Sequence, residues 1–196
     1  MAKEQPLSAA QYLMTFQHLV QMGKTDRDVA ILIASLVERA LRQVRDTLFV
    51  GFDAELKFPT DEKLKLKERA NKQAKNELIG IQGSLSTARD CVNILYATGY
   101  IGPETYHDTC QIQTIRNTFA HRTGIDEDGK IREINFDHPK IVEITNKLRL
   151  TYPLDDKNQV PPLSRDRFIT ASASVMAYIA TRDFWVTLAI PDMNRL

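Results

Sequence analysis

Arg116, Asn117 and His121 stand in the stretch "TIRNTFAHRTG", inside an otherwise apolar pattern. A guanidinium binds phosphate or carboxylate oxygens, an amide orients a neighbour, and an imidazole moves protons near neutral pH. Three such groups within six positions could therefore serve chemistry on a phosphate ester or the recognition of a partner. On a helix, Ile112, Ile115 and Phe119 form one buried stripe, with Arg116 at its edge. Asn117 and His121, four apart, share a different face. A purely structural reading accounts for the same residues. His121 and Arg122 complement the dipole at the end of a helix, and Arg116 pairs with a carboxylate on a neighbouring one. Spacing alone leaves both readings open.

Other constellations carry less. His107 and Cys110 are three apart, which suits two zinc ligands, but Cys91, His18 and His138 supply no matching second pair. A surface histidine beside a buried cysteine explains that pair, so no metal and no cofactor are expected. "GIQGS" has glycines ahead of a helix, yet it follows no strand and lacks the Lys-Ser/Thr ending of a phosphate loop. The short link "MGKTD" could join a helix-turn-helix, but its second helix opens with "DVAILIASLV", which belongs in a core rather than a DNA groove. From Lys57 to Glu77 there are seven basic side chains against four acidic. Such a run suits a solvated helix face, with Glu68 and Lys72 an i, i+4 pair, or a contact with phosphate backbones.

The elements that must hold these residues are helical nearly throughout. Residues 8–22 form a first helix that Gly23 can end in the left-handed conformation. Asp26 or Thr25 caps a long second helix whose apolar positions Val29, Leu32, Ile33, Leu36, Val37, Leu41, Val44 and Leu48 face the core. A loop over 50–59 leads to a charged helical segment. "SLSTARDCVNILYATG" is a helix ended by Gly99, with Leu85, Ala88, Val92 and Leu95 on one face. Pro103 opens the helix that carries Arg116, Asn117 and His121 and stops at Gly124. "IDEDGK" is a turn, and "KIREINF" can supply a short hairpin. Asp137 starts a helix over "HPKIVEITNKLRL", and Ser164 caps a last one that Pro191 stops. The expected fold is all-α: one domain over 1–196, an antiparallel bundle of about six to seven helices.

Composition narrows the functions. The chain has 196 residues, 43% hydrophobic and 26% charged, with a formal net charge of +1. That balance is ordinary for a globular domain and lacks the basic excess of a dedicated nucleic-acid binder. Direct DNA binding is therefore not expected. Two cysteines, both in helices, fit a reducing compartment, and no apolar run is long enough to span a bilayer. A cytoplasmic protein without a membrane segment is the expectation.

"TIRNTFAH" resembles the R-N-x-F-A-H signature of the mannitol operon repressor family. "DRDVAILIASLVERALRQV" is similar to that family's long first core helix, and "GSLSTARDCVNILYATGYI" resembles its Gly-Ser…Ala-Arg motif and the "L-x-Y-A-x-G-x-I" pattern that follows. The resemblance covers about residues 26–124 in order. It leaves 50–79 as an insertion and 164–190 as a C-terminal helix outside the match. The family in turn resembles the HEPN class of all-α proteins, many of which carry Arg, a polar neighbour and a His four to six positions after the Arg. The resemblance implies a HEPN/mannitol-repressor-like bundle and a non-enzymatic transcriptional regulator, a homodimer acting through an unidentified protein partner. Its alternative implication is a metal-independent endoribonuclease acting on RNA, with Arg116 on the phosphate, His121 assisting proton transfer and Asn117 orienting one of them. A structural adaptor, in which the motif only locks helices together, is the third reading.

Overall fold

A computed structural model describes residues 8–48, 87–121, 123–125, 131–151 and 163–189, together with Gln73 and Glu77. The described chain forms six helices and one two-stranded ribbon, an all-α helical bundle as expected.

Helix α1 (Ala9–Met22) begins at a reciprocal cap: the Ser8 hydroxyl accepts from the Gln11 amide, and the Gln11 side chain accepts from the Ser8 amide. It ends at Gly23, but not in the left-handed conformation expected from sequence. Gly23 has φ −64° and ψ 106°. The glycine is required instead by a close approach, since a Cβ there would stand 2.4 Å from Cγ2 of Val29. Helix α2 (Asp26–Leu48) starts at a second reciprocal cap, between Thr25 and Asp28. Val29, Ile33, Val37, Leu41 and Val44 on it are almost wholly buried. Leu32, placed on the core face from its spacing, is 39% exposed, because the stripe turns away from it.

Helix α3 (Ala88–Ala97) is capped by Thr87 and Asp90. Its end is a Schellman motif: Gly99 takes φ 72°, the Tyr100 amide donates to the Leu95 carbonyl and the Gly99 amide to that of Tyr96. Val92 and Leu95 are buried and Ala88 half-buried, while Leu85 lies outside the described residues. Helix α4 (Pro103–His121) opens on the predicted proline. It stops three residues short of the predicted Gly124, which belongs to strand β1 (Thr123–Ile125). β1 pairs antiparallel with β2 (Ile131–Glu133), Gly124 opposite Arg132. Helix α5 (Pro139–Thr145) is shorter than expected, and its cap is His138 rather than Asp137, the ring accepting from the Lys140 amide. Helix α6 (Ser164–Ala189) completes the bundle; Ser164 lies inside its first turn.

α2 packs against α1, α3, α4 and α6, and is the centre of the core. α1 and α2 run antiparallel, tied at the far end by Tyr12 donating to Gln43 and at the near end by the Gly23–Val29 contact. α2 and α6, distant in sequence, start at the same end, where Arg165 pairs with Asp26 at 3.3 Å. The rule that short links give antiparallel neighbours binds only consecutive helices. No helix among the described residues is long and apolar enough to cross a membrane.

Candidate functional site

The last two turns of α4 lie beside the starts of α2 and α6. Ile112, Ile115 and Phe119 are buried as the predicted stripe. Phe119 packs tilted against Phe136 at 5.0 Å between ring centres, and Phe136 against Phe168 of α6 at 5.4 Å. These aromatic contacts fix the end of α4 to the segment after β2 and to α6. Asp26 adds a polar tie, its carboxylate accepting from the Phe136 amide at 3.0 Å while holding Arg165. From the other side, the Arg27 guanidinium reaches the Ala120 carbonyl at 3.5 Å, one of the acceptors that a helix end leaves open.

On this fixed end Asn117 and His121 face outward, with Arg116 beside them at the edge of the core. Arg116 is half-buried and donates through Nη1 to Oδ1 of Asn117 at 3.0 Å. Its Nε is enclosed without an acceptor. Asn117 and His121 are exposed. Their four-residue spacing puts them one turn apart on one face. Among the described residues the His121 ring makes no hydrogen bond, and the one bond of Arg116 stays within its own helix. The expected carboxylate partner on a neighbouring helix is absent among the described residues: Arg116 turns to the adjacent amide instead. The motif thus ties no two described elements together. Chemically it offers a guanidinium edge, an amide and an imidazole to whatever docks there.

The other candidates have local explanations. His107 places Nδ1 3.0 Å from Oδ1 of Asp108. Cys110 is buried, and that burial pushes its thiol up, an effect which the nearby Arg89 charge only partly offsets. Burial likewise raises Cys91 on α3, opposed by the Arg45 guanidinium, whose Nη1 lies 3.5 Å from the sulfur. Among the described residues no three or more His, Cys, Asp or Glu side chains gather where they could hold a metal. The start of α2, weighed against DNA reading, has Val29, Ala30, Ile33 and Ala34 at 1% exposure or less. "GIQGS" and nearly all of the basic run fall outside the described residues; of the run, Gln73 and Glu77 are helical and hydrogen-bonded to each other at 2.8 Å.

Sequence reasoning missed Asp108. Its side chain is wholly buried in α4, and among the described residues no Lys or Arg side chain pairs with it. Its carboxylate accepts instead from the backbone: the Arg149 amide reaches both oxygens at 3.0 Å and the Leu150 amide reaches Oδ2 at 2.7 Å. An acid between Thr105 and Ile112 on the buried side of a helix was the available signal. Arg27 was missed as well, since in sequence it is one more charge in a capping turn.

The chain matches no family model, no curated protein and no solved structure. Its function rests on the site.

Proposed function

We propose that this chain is a non-enzymatic regulatory protein of the mannitol operon repressor type, acting in transcriptional regulation through protein–protein contacts rather than by reading DNA. The supporting observation is the outward presentation of Asn117 and His121, with the half-buried Arg116 bonded to Asn117, on a helix end that other residues hold in place. A polar group without a partner inside the fold is available to one outside it, and exposed Arg, Asn and His side chains suit the rim and anchors of a protein interface. On this reading the protein is a homodimer and docks an unidentified protein partner at the end of α4. The reading predicts that the cell tolerates expression. Replacing all three residues with alanine leaves the fold intact and releases the bound partner, measured by co-purification against the wild type. A triple variant that retains its partner while folding normally contradicts the reading.

A second reading has an observation of its own. Arg27 and Arg116 both reach the last turns of α4, where His121 is exposed, so two guanidinium groups and an imidazole share one helix end. That grouping is what a metal-independent endoribonuclease would use on a phosphodiester, the guanidinium groups holding charge and the imidazole moving a proton. It predicts growth arrest on expression, relieved by His121→Ala. A structural adaptor is the third reading, and it predicts that His121→Ala costs stability rather than activity.

A further inference from the structure

α1 has a face that the proposed function does not use. It is the only helix among the described residues without Asp, Glu, Lys or Arg. Its inner side, Tyr12 and Phe16, is buried in the core, where α1 meets α2 and α6. Its outer side exposes Leu13, Met14 and Met22, at 44%, 69% and 61%. These are half of the large hydrophobic side chains exposed among the described residues; the others, Leu32, Tyr96 and Leu163, are scattered over three separate places. Single exposed hydrophobics are ordinary, but a cluster on one uncharged helix marks an interaction surface. Met14, His18 and Met22 recur every four residues and so form one stripe, bordered by exposed Gln17 and Gln21.

We propose that this stripe docks a second copy of the chain, the two α1 helices packing antiparallel about a two-fold axis that passes beside His18. Two-fold pairing sets a surface patch against itself, so a patch bearing charge of one sign repels its copy. α1, with no Asp, Glu, Lys or Arg, meets its own copy without that conflict. Met14 and Met22 are equally distant from His18, so the antiparallel crossing lays each Met14 over the Met22 of the other copy. Unbranched methionine adapts to such a contact without a preformed socket. Glutamines at the margin supply donors and acceptors to each other. A helix of 14 residues is about 21 Å long. One helix pair of that length lies at the small end of specific interfaces, so the dimer is weak and concentration-dependent. The inference rests on the homodimer of the proposed function but moves it away from Asn117 and His121, leaving the end of α4 free for the partner.

The test is sedimentation of the full chain from about 1 to 100 µM, the range over which a weak dimer dissociates. The wild type is expected to shift from monomer towards dimer, and Met14→Asp with Met22→Asp to remain monomeric at every concentration with an unchanged melting curve. His18→Cys provides a second readout that does not depend on tolerating the aspartates. Only a residue beside the axis meets itself, so mild oxidation yields a disulfide-linked dimer, whereas Gln11→Cys on the same helix does not. The native Cys91 and Cys110 are buried and do not compete. A dimer lost in Asn117→Ala with His121→Ala, but kept in the aspartate variant, overturns the inference while sparing the homodimer. A monomer throughout, with no cross-link through His18→Cys, overturns both. A monomer that pellets with phosphatidylcholine vesicles through Met14 and Met22 gives the stripe to a lipid surface and equally overturns the proposal.

Discussion

The two halves of α4 carry polar groups of comparable chemistry and opposite use. In the first half, Asp108 is sealed in the core with both oxygens contacted, by two backbone amides and an imidazole. In the second, Arg116, Asn117 and His121 share a single hydrogen bond among the described residues, and two of the three are exposed. Burying a carboxylate is costly unless donors surround it, so the first cluster exists for the fold. The second has no folding task visible in its contacts. One helix thus separates a polar group that builds the structure from polar groups that the structure presents.

The largest effect that sharpens this contrast belongs to Asp108→Ala. It removes the acceptor of the Arg149 and Leu150 amides and leaves a gap at a wholly buried position. The expected loss is about 3–5 kcal/mol, read by urea unfolding. Asp108→Asn, which keeps one acceptor oxygen, is expected to lose less. If Asp108→Ala unfolds at the wild-type midpoint, the contrast fails from its structural side.

Cys110 lies between the two clusters and reports on the closed half. Burial raises its thiol, so the folded protein holds it protonated where an exposed thiol already ionises, and alkylation is slow at neutral pH. Asp108→Ala is expected to accelerate that alkylation at least tenfold, whereas His121→Ala leaves it unchanged. Equal acceleration by both variants would show that the two halves are not separable.

Smaller effects are expected at the exposed end. Asn117→Ala and His121→Ala should each change stability by no more than about 0.5 kcal/mol, and Arg116→Ala by about 1 kcal/mol through lost packing of its stem. Losses of about 1–3 kcal/mol at His121, seen by calorimetry, would favour the helix-locking reading. The smallest effect lies on α5. The hydrogen bond and charge of Lys147 hold the exposed Glu143 carboxyl below its ordinary range. A lowered folded value means that its contribution is present above the ordinary carboxylate range and is lost as pH falls through the lowered value. Lys147→Ala should therefore slightly flatten the acid limb of the stability–pH curve and leave Cys110 alkylation unaltered.

The contrast also separates what was legible in the sequence from what was not. Period-3.6 patterning revealed α2, the Ile112–Ile115–Phe119 stripe and the outward faces of Asn117 and His121, because burial of an apolar stripe is a local, repeating demand. Pro103 and Gly99 marked boundaries through backbone chemistry alone. Gly23 misled, since its reason is a tertiary contact with Val29 rather than a left-handed turn. Asp108 and Arg27 stayed hidden for the same cause: their partners stand 41 and 93 positions away. A charge on a helix reads as solvated until the fold supplies its partners. The ribbon after α4 was half legible: "KIREINF", read as able to supply a short hairpin, holds β2, whereas the three residues of β1 leave too few positions for alternation to register.

The most direct test of the central claim, that the end of α4 presents its polar groups to a partner and does no chemistry, is RNA cleavage by the purified chain. Wild type and His121→Ala are incubated with mixed-sequence RNA in the presence of a chelator, with melting curves taken on the same samples. The account predicts intact RNA in both and superimposable melts. Cleavage by the wild type that His121→Ala abolishes, at equal stability, would make Arg116, Asn117 and His121 an active site and contradict it.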